Sequence, residues 1–209
     1  MSPSPTPRGR LFVIAAPSGA GKTSLVRALM EREPALAFSV SFTTRPRRPT
    51  EIDGRDYHFV TGEAFAAKVA ADAFLEHARV FDNCYGTGRD EVERGLASGQ
   101  DLILEIDWQG AQQVRARLPE AIDVFILPPS REVLERRLRS RRTDSAEVIA
   151  RRLADSVTEM SHWREFRYVV INDDFGRALD ELTAIVRGEG AGLTSGRPGL
   201  AAFAAGLLG

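Results

Sequence analysis

Eight consecutive residues, Ala16-Pro17-Ser18-Gly19-Ala20-Gly21-Lys22-Thr23, carry the strongest chemical signal in the chain. Gly19 and Gly21 allow successive backbone N–H groups to curl around an anion, and a helix starting beyond them adds the partial positive charge of its N-terminus. In such a loop Lys22 reaches the β- and γ-phosphates of a nucleotide, and the Thr23 hydroxyl faces Mg²⁺. The flanks supply the required context. Leu11-Phe12-Val13-Ile14-Ala15 is an apolar run suited to a strand buried on both faces, and Ser24 to Leu29 has helical apolar spacing. One position departs from the pattern G-x-x-x-x-G-K-[ST]: Ala16 replaces the first glycine, which the loop tolerates if φ there is negative. A glycine-rich turn with an exposed lysine is the plain alternative, and the flanking strand and helix argue against it.

Four further groups of residues could do chemistry. Arg45, Arg47 and Arg48 lie within four positions, interrupted by Pro46 and Pro49. Arginines on a stiff loop suit bidentate recognition of phosphate oxygens, although a solvated basic loop is the simpler use of such a cluster. Glu76 stands among apolar neighbours, where a carboxylate is paired or working unless it occupies an exposed strand edge. Glu105 and Asp107 close the apolar run Asp101–Asp107, at the end of a strand where ligands of an open parallel sheet gather. Acids there can hold Mg²⁺ directly or through water, or contact substrate. Finally, Arg131, Arg136, Arg137, Arg139, Arg141, Arg142, Arg151 and Arg152 load the junction of two helices with positive charge. That pattern reads as a lid over polyphosphate. A nucleic-acid patch fits less well, because Glu132, Glu135, Asp144 and Glu147 are interspersed and aromatic residues are not.

The elements that must position these residues alternate between strand and helix. Strands are expected at 11–15, 38–42, 57–60, 73–81, 101–107, 121–127 and 168–172. Tyr57–Val60 reads as the returning strand of a hairpin turned at Asp53-Gly54, and Tyr85–Gly88 as a turn. Helices are expected at 61–71, 90–98, 108–118, from Ser130 through Leu138, from Asp144 onward and at 175–186, with a short apolar helix at 200–208. The architecture is α/β, a mostly parallel sheet flanked by helices with right-handed crossovers. The stretch from about 42 to 86 breaks that rhythm and reads as an inserted substrate-binding lobe. Residues 1–9, rich in proline, read as a disordered leader, 136–152 as the lid and 188–209 as a tail.

Bulk composition narrows the setting. The chain has 209 residues, 43% hydrophobic and 27% charged, as expected of a soluble globular protein. A net charge of −1 gives no global reason to expect nucleic acid or anionic membrane as partner. No apolar run reaches the length of a membrane span, and the N-terminus lacks a signal-peptide core. The single cysteine, Cys84, excludes an internal disulfide and fits a cytoplasmic location, where it serves as a small filler more readily than as a reactive thiol. His77 has no second histidine or thiol at ligand spacing. A homo-oligomer is among the states the sequence permits.

From Arg10 to Arg187 the chain resembles the guanylate kinase family of nucleoside-monophosphate kinases. Ala16–Thr23 is similar to the family's P-loop, with its Pro-Ser-Gly core. Ser41-Phe-Thr-Thr-Arg45-Pro-Arg-Arg48 with Glu51, Gly54 and Tyr57 resembles the GMP-binding signature. Phe74-Leu-Glu76, Tyr85-Gly-Thr87, Asp107-Trp-Gln-Gly110 and Asn172-Asp-Asp174 match further motifs in order. The resemblance implies transfer of the γ-phosphoryl of Mg-ATP to GMP. It implies that Arg45, Arg48, Tyr57 and Tyr85 hold the GMP phosphate while Ser41, Glu76 and Thr87 read the guanine edge. Asp107 matches an acid near GMP and the metal, with base contact and Mg²⁺-bound water both open. Ala16, Pro17, Ser18, Gly19, Ala20, Gly21, Lys22, Thr23 and Ser24 would bind ATP, with Asn172 near the adenine. Arg137, Arg141 and Arg152 match lid arginines on the transferring phosphates, and Lys22 acts with them. Two features depart from the family: Glu105 stands where aspartate is frequent, and Ser140 and Arg142 replace glycines around Arg141. Non-catalytic interaction modules of the same fold typically have a degraded P-loop, whereas Gly19, Gly21, Lys22 and Thr23 are intact here.

Overall fold

A computed structural model describes residues 7–80, 82–139 and 146–209. The apolar run at the start becomes strand β1 (Leu11–Ala15), every residue of which is buried. Helix α1 (Lys22–Arg32) follows the glycine loop and buries Leu25, Val26 and Leu29. The chain continues through β2 (Leu36–Phe38), β3 (Phe42–Thr43), β4 (His58–Phe59), α2 (Gly62–Ala70), β5 (Phe74–Val80), β6 (Asn83–Gly88) and α3 (Arg89–Ala97). Strand β7 (Asp101–Glu105), α4 (Trp108–Arg117), β8 (Ile122–Leu127), α5 (Arg131–Arg139), α6 (Ala146–Ser161), β9 (Tyr168–Ile171), α7 (Phe175–Val186) and α8 (Leu200–Leu208) complete it. A five-stranded sheet has the order β2-β7-β1-β8-β9, with β2 parallel to β7 and β8 parallel to β9. A second sheet of four strands has the order β4-β3-β6-β5. Among the described residues no helix is long and apolar enough to cross a membrane.

The chain divides into two compact units. One comprises the residues up to Phe12, Ala35–Leu104 and Gln109–Ala121. Its smaller sheet is packed by aromatic residues: Phe74 lies 4.7 Å from Phe65 and 5.6 Å from Phe42, measured between ring centroids. Thr61 caps α2 by accepting from Ala64 N–H at 3.2 Å, as a threonine ahead of an apolar periodic run should. Gln113 of α4 bonds both the N–H and the carbonyl of His77, at 3.0 and 2.8 Å, and so acts as a short strand against β5. At the N-terminal side, Gly9 N–H donates to Leu96 O at 2.8 Å and Arg8 pairs with Glu93, so residues 8 and 9 are tied to α3. Residues 1–6 of the expected leader lie outside the described residues.

The other unit comprises Val13–Pro34, Glu105–Trp108 and Ile122–Gly209. Its core is built from Val13 and Ile14 of β1, Val124–Leu127 of β8, Val169 and Val170 of β9 and the inner faces of α1 and α7. Each such side chain contributes about 1.5–3 kcal/mol by leaving water. Apolar residues at 178, 179, 182, 185 and 186 give α7 its buried stripe, and Asp174 caps it through Arg177 N–H at 2.8 Å.

Three sequence expectations are corrected. The run Phe38–Phe42 is not one strand. Ser39 N–H still bonds Ile103 O of β7, and the chain then leaves that sheet for the smaller one, where β3 begins. β4 is not the return arm of a hairpin but runs parallel to β3, with Phe42 opposite His58. The Asp53-Gly54 turn does form, with Gly54 N–H on Tyr57 O, but residues 44–57 are long enough to bring the chain back in the same direction. Tyr85–Gly88 is strand, not turn, paired antiparallel with both β3 and β5. The glycine- and alanine-rich tail forms the expected helix at 200–208 and is packed: Thr194 bridges to Tyr168, Arg197 donates to Val169 O at 2.6 Å, and Leu200, Ala204 and Leu207 of α8 are buried.

Candidate functional site

The loop 16–21 joins the carboxyl end of β1 to α1. Gly19 and Gly21 take φ of 89° and 95°, and Ala16 is not among the residues with positive φ, so the departure from the glycine pattern costs no backbone strain. Gly21 is the residue on which α1 begins, which leaves the first N–H groups of the helix without intrahelical partners. The Lys22 ammonium donates to Ile106 O at 2.7 Å, and the Thr23 hydroxyl donates to Glu105 Oε1 at 2.5 Å. Asp107 follows two residues after Glu105 in the same unit. One hydroxyl, two carboxylates and an ammonium thus belong to the strand end and the loop. Among the described residues no cluster of three or more potential metal ligands occurs. A hydroxyl with one or two carboxylates is a donor set that suits Mg²⁺ arriving with a nucleotide, because Mg²⁺ keeps waters and phosphate oxygens for its remaining positions.

The loop is braced from below and from one side. Asn172, buried at the end of β9, donates its amide to Ala20 O at 2.7 Å. Arg137 of α5 donates to the same Ala20 O at 3.3 Å and to Asn172 O at 3.2 Å, and burial pushes its guanidinium below the usual arginine range. From α6, Arg152 Nη2 reaches Ser18 Oγ at 2.9 Å and Glu159 Oε2 accepts from Ser18 N–H at 3.0 Å. Expected phosphate ligands therefore stand at the loop, with Arg137 and Arg152 on its backbone and side chain. Arg141, with Ser140 and Arg142, lies outside the described residues.

The other unit holds the second set of candidates. Glu76 on β5 pairs across the ladder with Thr87 on β6, so both side chains leave the same face. Thr87 Oγ1 donates to Glu76 Oε1 at 2.6 Å, and both residues are buried, at 0% and 3% exposure. Tyr85, two residues before Thr87, shares that face and pairs with Thr43 of β3. Arg45 lies against the Tyr57 ring, its guanidinium carbon 5.4 Å from the ring centroid, and the Tyr57 and Tyr85 rings meet edge-on at 6.0 Å. Glu51 fixes this group: it accepts from Arg45 Nη2 at 2.6 Å and from Arg48 N–H at 2.8 Å. The bond to Glu51 raises the Arg45 pKa, and bonds from Arg45 and the Arg48 backbone hold the Glu51 carboxyl below its usual range. The Arg48 side chain is 70% exposed. Ser41, just before β3, accepts from His58 N–H through its carbonyl.

A family model for guanylate kinase matches residues 8–189. The chain belongs to the guanylate kinase family. It is 55% identical over 202 residues to "Guanylate kinase" of Methylococcus capsulatus, an alignment covering 97% of this chain and 99% of the other. It is 56% identical to "Guanylate kinase" of Alkalilimnicola ehrlichii, covering 96% and 99%. Among solved structures, guanylate kinase from Anaplasma phagocytophilum superposes with a TM-score of 0.73 at 32% identity, covering 89% of this chain and 88% of the other. This agrees with the α/β architecture and with the family resemblance read from the motifs.

Several residues that shape these sites carried no separate signal in the sequence. Glu51 was visible only as part of a motif, without its role as the carboxylate that aligns Arg45. Arg152, Ser156 and Glu159 recur at helical spacing on α6, a pattern that by itself gives Ser156 and Glu159 no role. Trp108 stacks on His162 with ring centroids 3.5 Å apart and planes at 8°, a contact between residues 54 positions apart that no local pattern announces.

The loop geometry makes a test of its own. A Cβ on Gly21 would sit 2.5 Å from Asn172 Nδ2, at a φ that side chains rarely adopt. Gly21→Ala is expected to destabilise the fold by ~1–3 kcal/mol, lowering the melting temperature by several degrees, and to abolish nucleotide uptake. Adding Asn172→Ala should relieve the clash but not the φ strain, so only part of the loss should return. A Gly21→Ala chain that melts with its parent would refute the loop conformation.

Proposed function

We propose that the chain transfers the γ-phosphoryl group of ATP to GMP, releasing ADP and GDP. Family membership across nearly the whole chain supports phosphotransfer, together with an intact phosphate loop. The observation that favours guanine as the accepting base is the buried Glu76–Thr87 pair. A carboxylate can accept from both guanine N1–H and the 2-amino group, whereas adenine offers a donor at neither position. An acceptor left unpaired in a buried site costs about 1–3 kcal/mol, more when charged.

In this reading Ser41, Glu76 and Thr87 read the base, while Arg45, Arg48, Tyr57 and Tyr85 hold the GMP phosphate with two guanidinium groups and two phenols. Residues 42–86 form the GMP lobe and 136–152 the lid. Ala16–Ser24 cradle the ATP phosphates through backbone N–H groups and Lys22, with Asn172 supporting the loop on the adenine side. Arg137, Arg141 and Arg152 neutralise charge on the group in flight. Thr23, Glu105 and Asp107 fit Mg²⁺, directly or through water, and the ion neutralises phosphate charge when bound with ATP.

The GMP phosphate is itself the nucleophile and is ionised at neutral pH, so no general base is needed. Catalysis then consists of positioning and charge neutralisation in a site that excludes water. A cytoplasmic location belongs to the same reading. A coupled ADP-release assay with Mg-ATP, offering GMP, AMP, UMP and CMP in parallel, tests it. ADP formation with GMP alone is expected. No ADP with any acceptor, from a folded chain that still binds GMP, would instead indicate a non-catalytic interaction module.

A further inference from the structure

Ser18 is held by a single helix through all three of its polar groups. Arg152, Ser156 and Glu159 lie at steps of four and three along α6 and therefore form one row. Arg152 Nη2 donates to Ser18 Oγ at 2.9 Å, and Glu159 Oε2 accepts from Ser18 N–H at 3.0 Å. Ser156, fully buried, donates to Arg152 O at 2.7 Å and shares that proton with Ser18 O at 3.4 Å. Ser18 lies in the first half of the phosphate loop, ahead of the N–H groups at Ala20 to Thr23.

Glu159 is an expensive way to achieve mere packing. It is half-buried, and burial pushes its carboxyl above the usual range against the pull of the Ser18 N–H and of Lys22, with Asp107 and Asp155 adding repulsion. Its neighbour Met160 already supplies apolar packing, with no exposure. The costly carboxylate is directed at one backbone N–H of the loop. An N–H there without an acceptor would be free to turn, and the curvature of the following residues would turn with it.

We propose that Glu159 is a positioning residue of the ATP site, whose acceptor oxygen fixes the Ser18 N–H and so presets the curvature of the phosphate loop. The inference rests on the reading that this loop takes ATP. Because Arg152 is held on the same row, the helix and the loop are set as one piece, and loosening Ser18 disturbs both.

Three substitutions separate reach from charge. Glu159→Gln keeps the reach and an acceptor oxygen but loses the charge. Glu159→Asp keeps the charge but falls one methylene short, and Glu159→Ala removes both. We expect the KM for ATP to stay within about threefold of the parent in Glu159→Gln and to rise roughly tenfold in Glu159→Asp and Glu159→Ala. The KM for GMP should stay within about twofold throughout. Hydrogen exchange at the Ser18 amide should remain slow in Glu159→Gln and become fast in the other two, whether or not ATP is added. The opposite order, with Asp like the parent and Gln impaired, would assign Glu159 a charge role beside Lys22 and overturn the proposal. So would KM values for ATP and GMP that rise together, or no change in any variant. If Glu159→Ala does not fold, the order of the two conservative variants still decides. A parent chain that takes up no Mg-ATP in calorimetry would remove the nucleotide reading instead, and the Ser18 exchange pattern would tell the two failures apart.

Discussion

Lys22→Met is expected to lower turnover roughly 10²–10³-fold while leaving GMP affinity within about twofold. Methionine matches the length of the lysine stem, so the change removes a charge and three donors with little change in volume. Lys22 is the first residue of α1, and its ammonium lies 2.7 Å from Ile106 O. A preorganised cation stabilises the charge spread over the oxygens of the moving phosphoryl group without further reorganisation, and that contribution is what the substitution removes. Ile106 O loses one donor, which costs about 1 kcal/mol and should shift the melting temperature by about 2–4 °C. Lys22→Arg should recover little, since a planar fork cannot reproduce a point charge at that spot. Apart from Asp107, the residues assigned to GMP belong to the other compact unit, which is why its affinity should persist. Steady-state ADP release and GMP calorimetry on the same preparation check both halves. Turnover within tenfold of the parent would sink the role given to Lys22.

The parts of the fold that were legible in the sequence share one physical property: their information is local. β1, β7, β8 and β9 are buried strands that read as apolar runs, and α7 carries its burial in its spacing. The glycine loop ahead of α1 is likewise contained in eight consecutive residues. Misreadings arose where a residue's role depends on a distant neighbour. Gly86 looks like a turn residue, yet it lies within β6, where a Cβ would sit 3.1 Å from Phe74 and 3.2 Å from Glu76 O. The glycine permits close approach of β5, which a turn propensity cannot distinguish from a bend. Asp53-Gly54 does turn, but the direction of β4 follows from the whole span 44–57 and from its pairing with β3. Glu159 meets Ser18 across 141 positions, and nothing near either residue reveals the contact. The tail is legible only in its apolar helix at 200–208, which the structure has with the same bounds. Small residues give little periodic signal, yet they let α8 pack closely, and Arg197 supplies the polar anchor on Val169 O.

Glu76→Gln is expected to remove most discrimination between GMP and AMP while the fold remains. The carboxylate offers about four lone-pair sites, of which the Thr87 hydroxyl takes one at 2.6 Å. A glutamine in the same pose can still accept from Thr87 through its amide oxygen, so stability should change by no more than about 1 kcal/mol. Toward the base, however, it presents an NH₂ group where guanine also presents N–H donors. Two charge-assisted bonds are replaced by at most one neutral bond and a donor facing a donor. At about 1.5–3 kcal/mol for a bond to a charged group, kcat/KM for GMP should fall roughly 10²-fold or more. AMP, which never had a donor for that carboxylate, should lose little or gain slightly, because the acceptor it left unpaired is gone. The ratio of the two kcat/KM values should therefore collapse by more than either changes alone, a result that general damage to the lobe cannot produce. Thr87→Val provides the complementary case. It deletes the hydroxyl that orients Glu76 but leaves the carboxylate, so the preference for GMP should weaken by roughly tenfold and persist. A Glu76→Gln chain that still prefers GMP as strongly as its parent would move base recognition to residues other than this pair.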